Sequence, residues 1–484
     1  MQRTRDAKGG QTVILIAMLS TFLFSLAGLA TDFVWAYVIK QRLTAAVDAA
    51  SLSAVRALGR GSTNMGRVIG MVFDANFPTG FMMAKNISYV GPTISTPSPG
   101  VRSVWLEGRA TAPTFFLRIW GFNNLPVKAS ATASRRDVNL MMVLDRSGSL
   151  HPSNADAWDD VQQAATFFIE QFDQSRDRLG LVTFGTSAAI DVALNTNTQT
   201  SIISAIANQQ VAISAATNSP EGLWLAYAEL ARVADPNPLN VVIFFTDGQP
   251  SAYSARFQVR TSSGGSNTTP YCSGSPRDAV VGSLQSGADF YEVSGFWQRA
   301  AATPVTLGSY FGSTYDHYIV SGCNNNNSSF DPYGGDVELL FLSTQCLPTS
   351  WTPTQGSVTR TFSISTGPYS VNQCSSLLKS TSTTWSNRTY RGTQVHNASK
   401  NLSVNIATAA RGDVGLGGAR IYSIGLGGWG YPADADFLER VSNDLDSVYY
   451  DPNQPSGLYA YAPTPSQLQQ AFNQVASEVF RLVR

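Results

Sequence analysis

Residues 12–30 run for about 19 positions without a charged side chain, behind Arg3, Arg5 and Lys8. At roughly 1.5 Å per residue, a helix of that length crosses the hydrocarbon core of a bilayer. Basic residues before the run and Asp32 just after it predict a single-pass topology, with a cytoplasmic N-terminus and the bulk of the chain outside the cytoplasm. A cleaved signal peptide is the rival reading, because Gly28 and Ala30 are small residues of the kind found at cleavage sites. Two features weigh against it. The run exceeds the usual signal core of roughly 7–15 residues, and Ala45, Ala46, Ala49, Leu52 and Val55 continue a helical spacing beyond it.

At 484 residues the chain is too long for one core, so about two to four domains are expected. Lys and Arg total 33, as do Asp and Glu, and the cations are scattered rather than gathered into a stripe. That distribution lacks the footprint of a nucleic-acid binder.

Between residues 59 and 136 short apolar runs are broken by Gly and Pro. Segments 87–90, 103–106, 115–120 and 126–133 read as strands of a small β-rich or mixed region. After Arg136 the pattern becomes strand, helix, strand, which predicts an α/β domain with a doubly wound, mostly parallel sheet. Segments 140–144 and 241–245 are apolar throughout, as strands buried on both faces should be, and 179–184 reads as the strand between them. Segment 188–194 fits an antiparallel edge hairpin. A helix is expected from Asn154, with Trp158, Val161, Ala165, Phe168 and Phe172 on one face. A second is expected from a Ser219 cap with Pro220 in its first turn. The pattern stops near Pro250 and resumes near His396, with a helix at 402–410, a strand at 420–424, a helix at 433–443 and a last helix after Thr464. Residues 251–395, rich in Ser, Thr, Asn and Gly, are too long for a loop and read as an inserted subdomain. The expected division is therefore 1–58, 59–136, 137–250 together with 396–484, and the insertion 251–395.

The chemistry gathers at strand ends. Asp145, Ser147 and Ser149 occupy the turn after the first buried strand, Thr217 lies in a loop entering a helix, and Asp247 follows the third buried strand in Thr246-Asp247-Gly248. Ligands of wound α/β folds collect at the carboxyl edge of the sheet. Oxygen donors with few formal charges suit a hard divalent cation, Mg2+ foremost, with Mn2+ or Ca2+ as alternatives. Such a set leaves one coordination position for an Asp or Glu of a partner. Taken alone, Asp-x-Ser-x-Ser is also a common polar turn before a helix.

The set Asp145-x-Ser147-x-Ser149, Thr217 and Thr246-Asp247-Gly248 resembles the metal-ion-dependent adhesion site of von Willebrand factor A (vWA) domains, over residues 139–250 and 396–484. The resemblance implies direct metal contacts from Asp145, Ser147 and Ser149, with Thr217 and Asp247 acting directly or through water. It implies adhesion or assembly rather than catalysis. Gly9-Gly10-Gln11, the apolar run, Asp32 and the segment 43–52 resemble a second family, the TadG-like proteins of the Tad/Flp pilus apparatus. Leu15 stands where a prepilin would carry Glu, so processing as a pilin is not expected.

Cys272, Cys323, Cys346 and Cys374 all lie in the insertion, without a Cys-x-x-Cys pair, which favours two disulfides over a zinc site and leaves three pairings open. Because the insertion leaves just after Asp247, it is expected on the metal-bearing face. Asp331 and Asp336 read as an ordinary turn, with a Ca2+ site as the alternative. His151, His317 and His396 are the only histidines, and none lies in a nucleophile-elbow or zinc-helix signature. No enzyme is expected. The resemblances imply an inner-membrane component of pilus or envelope assembly that binds an acidic partner subunit through the metal. A surface adhesin using the same site is the alternative.

Overall fold

The computed structural model describes residues 7–58, 62–152, 156–212, 215–261, 271–272, 276–286, 290–298, 308–310, 313–315, 323–324, 346–372, 385–427 and 433–482. These form two compact units, one ending at Arg136 and one beginning at Asp137.

The first unit is built on α1 (Ala7–Arg56), a single helix of 50 residues. It is long and apolar enough to cross a membrane, and Val13, Leu15, Phe22, Leu23 and Phe24 all face outward. Its burial then changes. Ile39, Leu43, Val47, Ala50 and Ala54 follow helical spacing and are buried against α2 (Ser62–Asn76) and an antiparallel meander of β1 (Lys85–Ser98), β2 (Val101–Pro113) and β3 (Asn124–Arg136). A Cβ at Gly108 would lie 2.5 Å from Val47 Cγ2, so glycine at this point of β2 lets the helix settle onto the sheet. The segments 1–58 and 59–136 therefore share one core, and α2 adds a helix that the short apolar runs did not reveal.

Segment 115–120 is not a strand. The backbone N–H groups of Phe115, Phe116 and Leu117 donate to the Asp32 carboxylate at 2.8, 2.9 and 2.7 Å, which takes the donors a sheet ladder would need. A short 3-10 turn, Leu117–Trp120, follows.

The second unit contains β4 (Val138–Asp145), β5 (Arg178–Phe184), β6 (Ala188–Asn195), β7 (Leu239–Thr246), β8 (Ala252–Phe257), β9 (Arg277–Ser286), β10 (Phe290–Gln298), β11 (Arg420–Leu426) and β12 (Leu458–Ala462). The central sheet has the order β12-β11-β7-β4-β5-β6, with β6 antiparallel at one edge and every other pairing parallel. Alternate residues face opposite layers. Met141, Val143 and Phe244 share a core with α5 (Ser219–Val233), α6 (Trp385–Gly412) and α7 (Ala435–Ser442). Leu140, Met142 and Phe245 face α3 (Trp158–Ile169), α4 (Gln199–Asn208) and α8 (Leu468–Leu482). This is the doubly wound arrangement.

Several boundaries differ from the sequence reading. Asn154 lies outside the described residues, and α3 begins at Trp158. The cap of α5 is Asn218, one residue before Ser219, and its side chain accepts the Glu221 N–H at 3.3 Å. The boundary at His396 falls inside α6. Nor are the described parts of 251–395 a separate body. β9 pairs antiparallel with β8 and β10, and Tyr253, Phe257, Trp351 and Phe362 join the core formed with α5 and α6. Those helices carry apolar surface beyond the reach of the sheet, and these side chains cover it. Asp331, Asp336, Cys374 and the side chains of Cys272 and Cys323 lie outside the described residues, and the cysteine pairing with them.

Candidate metal centre

Neighbouring strands β4 and β7 run parallel with Leu144 opposite Phe245, so their carboxyl ends place Asp145 and Thr246-Asp247 side by side. Asp145 is fully buried. One carboxylate oxygen accepts the Ser147 N–H at 2.8 Å, and the other accepts Thr246 Oγ1 at 2.5 Å. Ser147 Oγ lies 3.0 Å from Ser149 Oγ. Both hydroxyls reach Asp247 Oδ1, Ser149 at 2.8 Å and Ser147 at 3.5 Å. Asp145, Ser147, Ser149 and Asp247 thus form one connected cluster.

Two buried carboxylates across a pair of hydroxyls are electrostatically costly without a cation. Burial pushes the Asp145 carboxyl above its usual range despite the donors from Thr246 and Ser147. Burial, and then the charge of Asp145, push Asp247 up as well. Asp247 Oδ2 is buried with no hydrogen-bond partner. An orphaned anionic oxygen beside a second carboxylate and two hydroxyls is a donor set that fits a hard divalent cation. Among the described residues there is no cluster of three or more His, Cys, Asp or Glu side chains suited to a metal, so the donors available beside the two carboxylates here are hydroxyls. Arg146, itself buried, opposes the burial cost with its positive charge near Asp145.

Thr217 sits in the adjoining loop but is held through its backbone. Its N–H donates to Ser251 Oγ at 2.9 Å, and its carbonyl accepts the N–H groups of Ser251 and Ala252 at 2.9 and 3.2 Å. Its hydroxyl makes no hydrogen bond to the other four residues. The loop is fastened to the first turn by Gly148 N–H donating to Ala215 O at 2.9 Å.

The von Willebrand factor type A domain model matches residues 139–287, and the Tad model, described as Flp pilus-assembly TadE/G-like, matches residues 10–57. The chain joins a TadE/G-like segment to a vWA domain. No curated protein matches the sequence. Among solved structures, the vWF domain of the type V pili tip protein Mfa5 from Porphyromonas gingivalis is similar at 13% identity and a TM-score of 0.36, covering 73% of this chain and 98% of that one. The pilus adhesin SpaC from Lactobacillus rhamnosus GG is similar at 13% identity and a TM-score of 0.34, covering 82% of this chain and 34% of SpaC. This chain therefore spans about a third of the length of SpaC. Proximal thread matrix protein 1 from the mussel byssus, with a zinc-occupied MIDAS motif, is similar at 10% identity and a TM-score of 0.32, covering 70% of this chain and 47% of that one.

The supports of the vWA site include residues that sequence reasoning did not assign. Thr246 orients Asp145, and Ser251 holds the Thr217 loop. Below that loop Glu221 Oε2 accepts Ser254 Oγ at 2.7 Å and Asn218 Nδ2 at 3.1 Å. Thr246 was visible beside Asp247 in the sequence. Glu221 stands three residues after its partner Asn218, a spacing typical of a helix start, whereas Ser251 and Ser254 carry no local signal, because their partners Thr217 and Glu221 lie 34 and 33 positions away and only the packing of β8 against α5 brings them together.

Proposed function

We propose that this protein is a membrane-anchored, extracytoplasmic vWA component of a Tad/Flp pilus or envelope assembly, and that its vWA domain binds an acidic partner subunit through a divalent metal. The observation that carries the reading is the orphaned, buried Oδ2 of Asp247 beside Asp145 and the hydroxyls of Ser147 and Ser149. Asp145, Ser147, Ser149 and Asp247 would hold the ion, with Thr217 joining if its side chain turns inward. The ion, Mg2+ foremost and Mn2+ or Ca2+ otherwise, would supply a Lewis-acidic position for a partner's Asp or Glu. The protein then acts by binding rather than by catalysis. Anchoring by α1 in the bacterial inner membrane, with the N-terminus cytoplasmic, favours assembly over release as an adhesin. An extracytoplasmic, oxidising location would also let Cys272, Cys323, Cys346 and Cys374 pair as two disulfides.

Calorimetric titration of the full-length protein in nanodiscs with Mg2+ and Mn2+ tests the reading. Saturable binding in the wild type that disappears in a folded Asp145→Ala variant supports it, and no binding by the folded wild type overturns it. Capture of a pilus or envelope subunit that is lost in chelator and in Asp145→Ala then tests the assembly role.

A further inference from the structure

The aromatic loop between β2 and β3 has no use in the metal site, yet it is built with care. Ile119, Trp120 and Phe122 are 78%, 72% and 61% exposed, an expensive display of apolar surface in water. The loop is fastened to α1 at two points. The Asp32 carboxylate, 1% exposed, accepts the N–H groups of Phe115, Phe116 and Leu117. One turn earlier, Phe116 packs on Gly28, where an added Cβ would lie 2.6 Å from the ring.

These contacts fix the height of the loop on the helix. A bilayer core takes about 20 helical residues, and counting from Thr12 brings its far boundary to Asp32. Asp32 would ordinarily end the apolar stretch, but three charge-assisted hydrogen bonds satisfy it within the protein. Beyond it Phe33, Val34 and Tyr37 are again exposed. An open groove there is lined by Phe33, Tyr37, Lys40 and Lys128 among other residues. Trp and Tyr collect at the boundary between acyl chains and headgroups, and lysines snorkel from it toward phosphate.

We propose that the 115–122 loop inserts Ile119, Trp120 and Phe122 into the outer leaflet of the membrane that α1 crosses, forming a second lipid contact beside the helix. Asp32 is the tether that sets the insertion depth. The occupant of this apolar surface is the phospholipid bilayer, argued from its continuity with the exposed apolar face of α1. The inference rests on the reading of α1 as a membrane span.

The test uses full-length protein in liposomes containing lipids brominated on the acyl chain near the headgroup. Subtracting the emission of Trp120→Phe from that of the wild type isolates Trp120, whose high exposure makes the variant structurally safe. The expected result is loss of most of the Trp120 signal in brominated liposomes, with little quenching by aqueous iodide. A Trp120 signal quenched by iodide and indifferent to brominated lipid overturns the proposal. Flotation with liposomes after alkaline washing separates the two ideas. A protein that floats while Trp120 stays wet retains its anchor and refutes the loop insertion, whereas a protein that does not float refutes the span and the loop insertion with it.

Discussion

Ser149 Oγ donates to Asp247 Oδ1 across 2.8 Å, joining residues 98 positions apart in the chain. The bond satisfies one oxygen of Asp247 and leaves the other buried without a partner. Asp247→Asn removes one of two buried like charges while keeping the shape. In chelator near neutral pH this variant is expected to be more stable than the wild type by about 1 kcal/mol, because an amide avoids the cost of burying or protonating a second carboxyl beside Asp145. Its Mg2+ affinity should fall at least about tenfold, roughly 1.4 kcal/mol. Thermal unfolding and calorimetry read the two effects, and a variant equal to wild type in both would remove Asp247 from the site.

The raised carboxyls also set a pH dependence. In the metal-free protein Asp145 and Asp247 hold protons at pH values where the unfolded chain has released them. The folded state binds more protons there, so metal-free stability is expected to fall as pH rises above the ordinary carboxylate range. Saturating Mg2+ should reverse that slope, since the ion competes with protons for the same oxygens. At a Mg2+ concentration about 100 times Kd the stabilisation reaches about 2.7 kcal/mol. Denaturant unfolding across pH, with and without Mg2+, checks this. Identical pH profiles would contradict it.

His396 gives the opposite sign from a different part of the fold. It is buried in α6, and burial, followed by the Lys400 charge, pushes its pKa down to about 3 from an ordinary 6.5. The unfolded chain binds the proton first, so this contribution is complete above about 6.5 and is lost as pH falls toward 3. The expected slope approaches about 1.4 kcal/mol per pH unit below the unfolded pKa. His396→Gln should flatten the acid limb of the stability curve. An unchanged acid slope would show that another group carries it.

Trp224 packs α5 against the segment 346–364. Its ring lies 5.5 Å from that of Phe362 and 6.5 Å from that of Trp351, both edge-on. Trp224→Ala should cost about 3–5 kcal/mol in urea unfolding and raise hydrogen exchange across residues 346–364. A loss under about 1 kcal/mol would mean that the segment packs independently of α5.

The sequence was most informative where structure is local. The helix α1, the apolar runs within β4, β5 and β7, the edge hairpin of β6 and the buried stripe of α3 follow from side-chain period and length, because burial on one face or both is written directly in the order of residues. The site was legible for a related reason. Asp145, Ser147 and Ser149 stand within one turn, and Asp247 directly follows a strand of the same apolar kind.

Elsewhere period misled. Segment 115–120 has the composition of a strand, but a strand needs a ladder partner, and its donors are taken by Asp32 more than eighty residues away. The polar stretch 251–395 reads as an excursion because its few apolar residues, Tyr253, Trp351 and Phe362 among them, are too sparse to suggest a core. They are buried only because α5 and α6 supply the rest of it.

By itself, then, the sequence determined that this chain has an apolar span, a wound α/β domain and oxygen donors at its strand ends, since propensity, hydrophobic period and turn chemistry act between near neighbours. Only the tertiary structure decided that Ser149 meets Asp247, that Ser251 holds Thr217, and that Asp32 ties an aromatic loop to the span. Those contacts join residues separated by long stretches of chain, and their partners are chosen by how whole helices and strands pack.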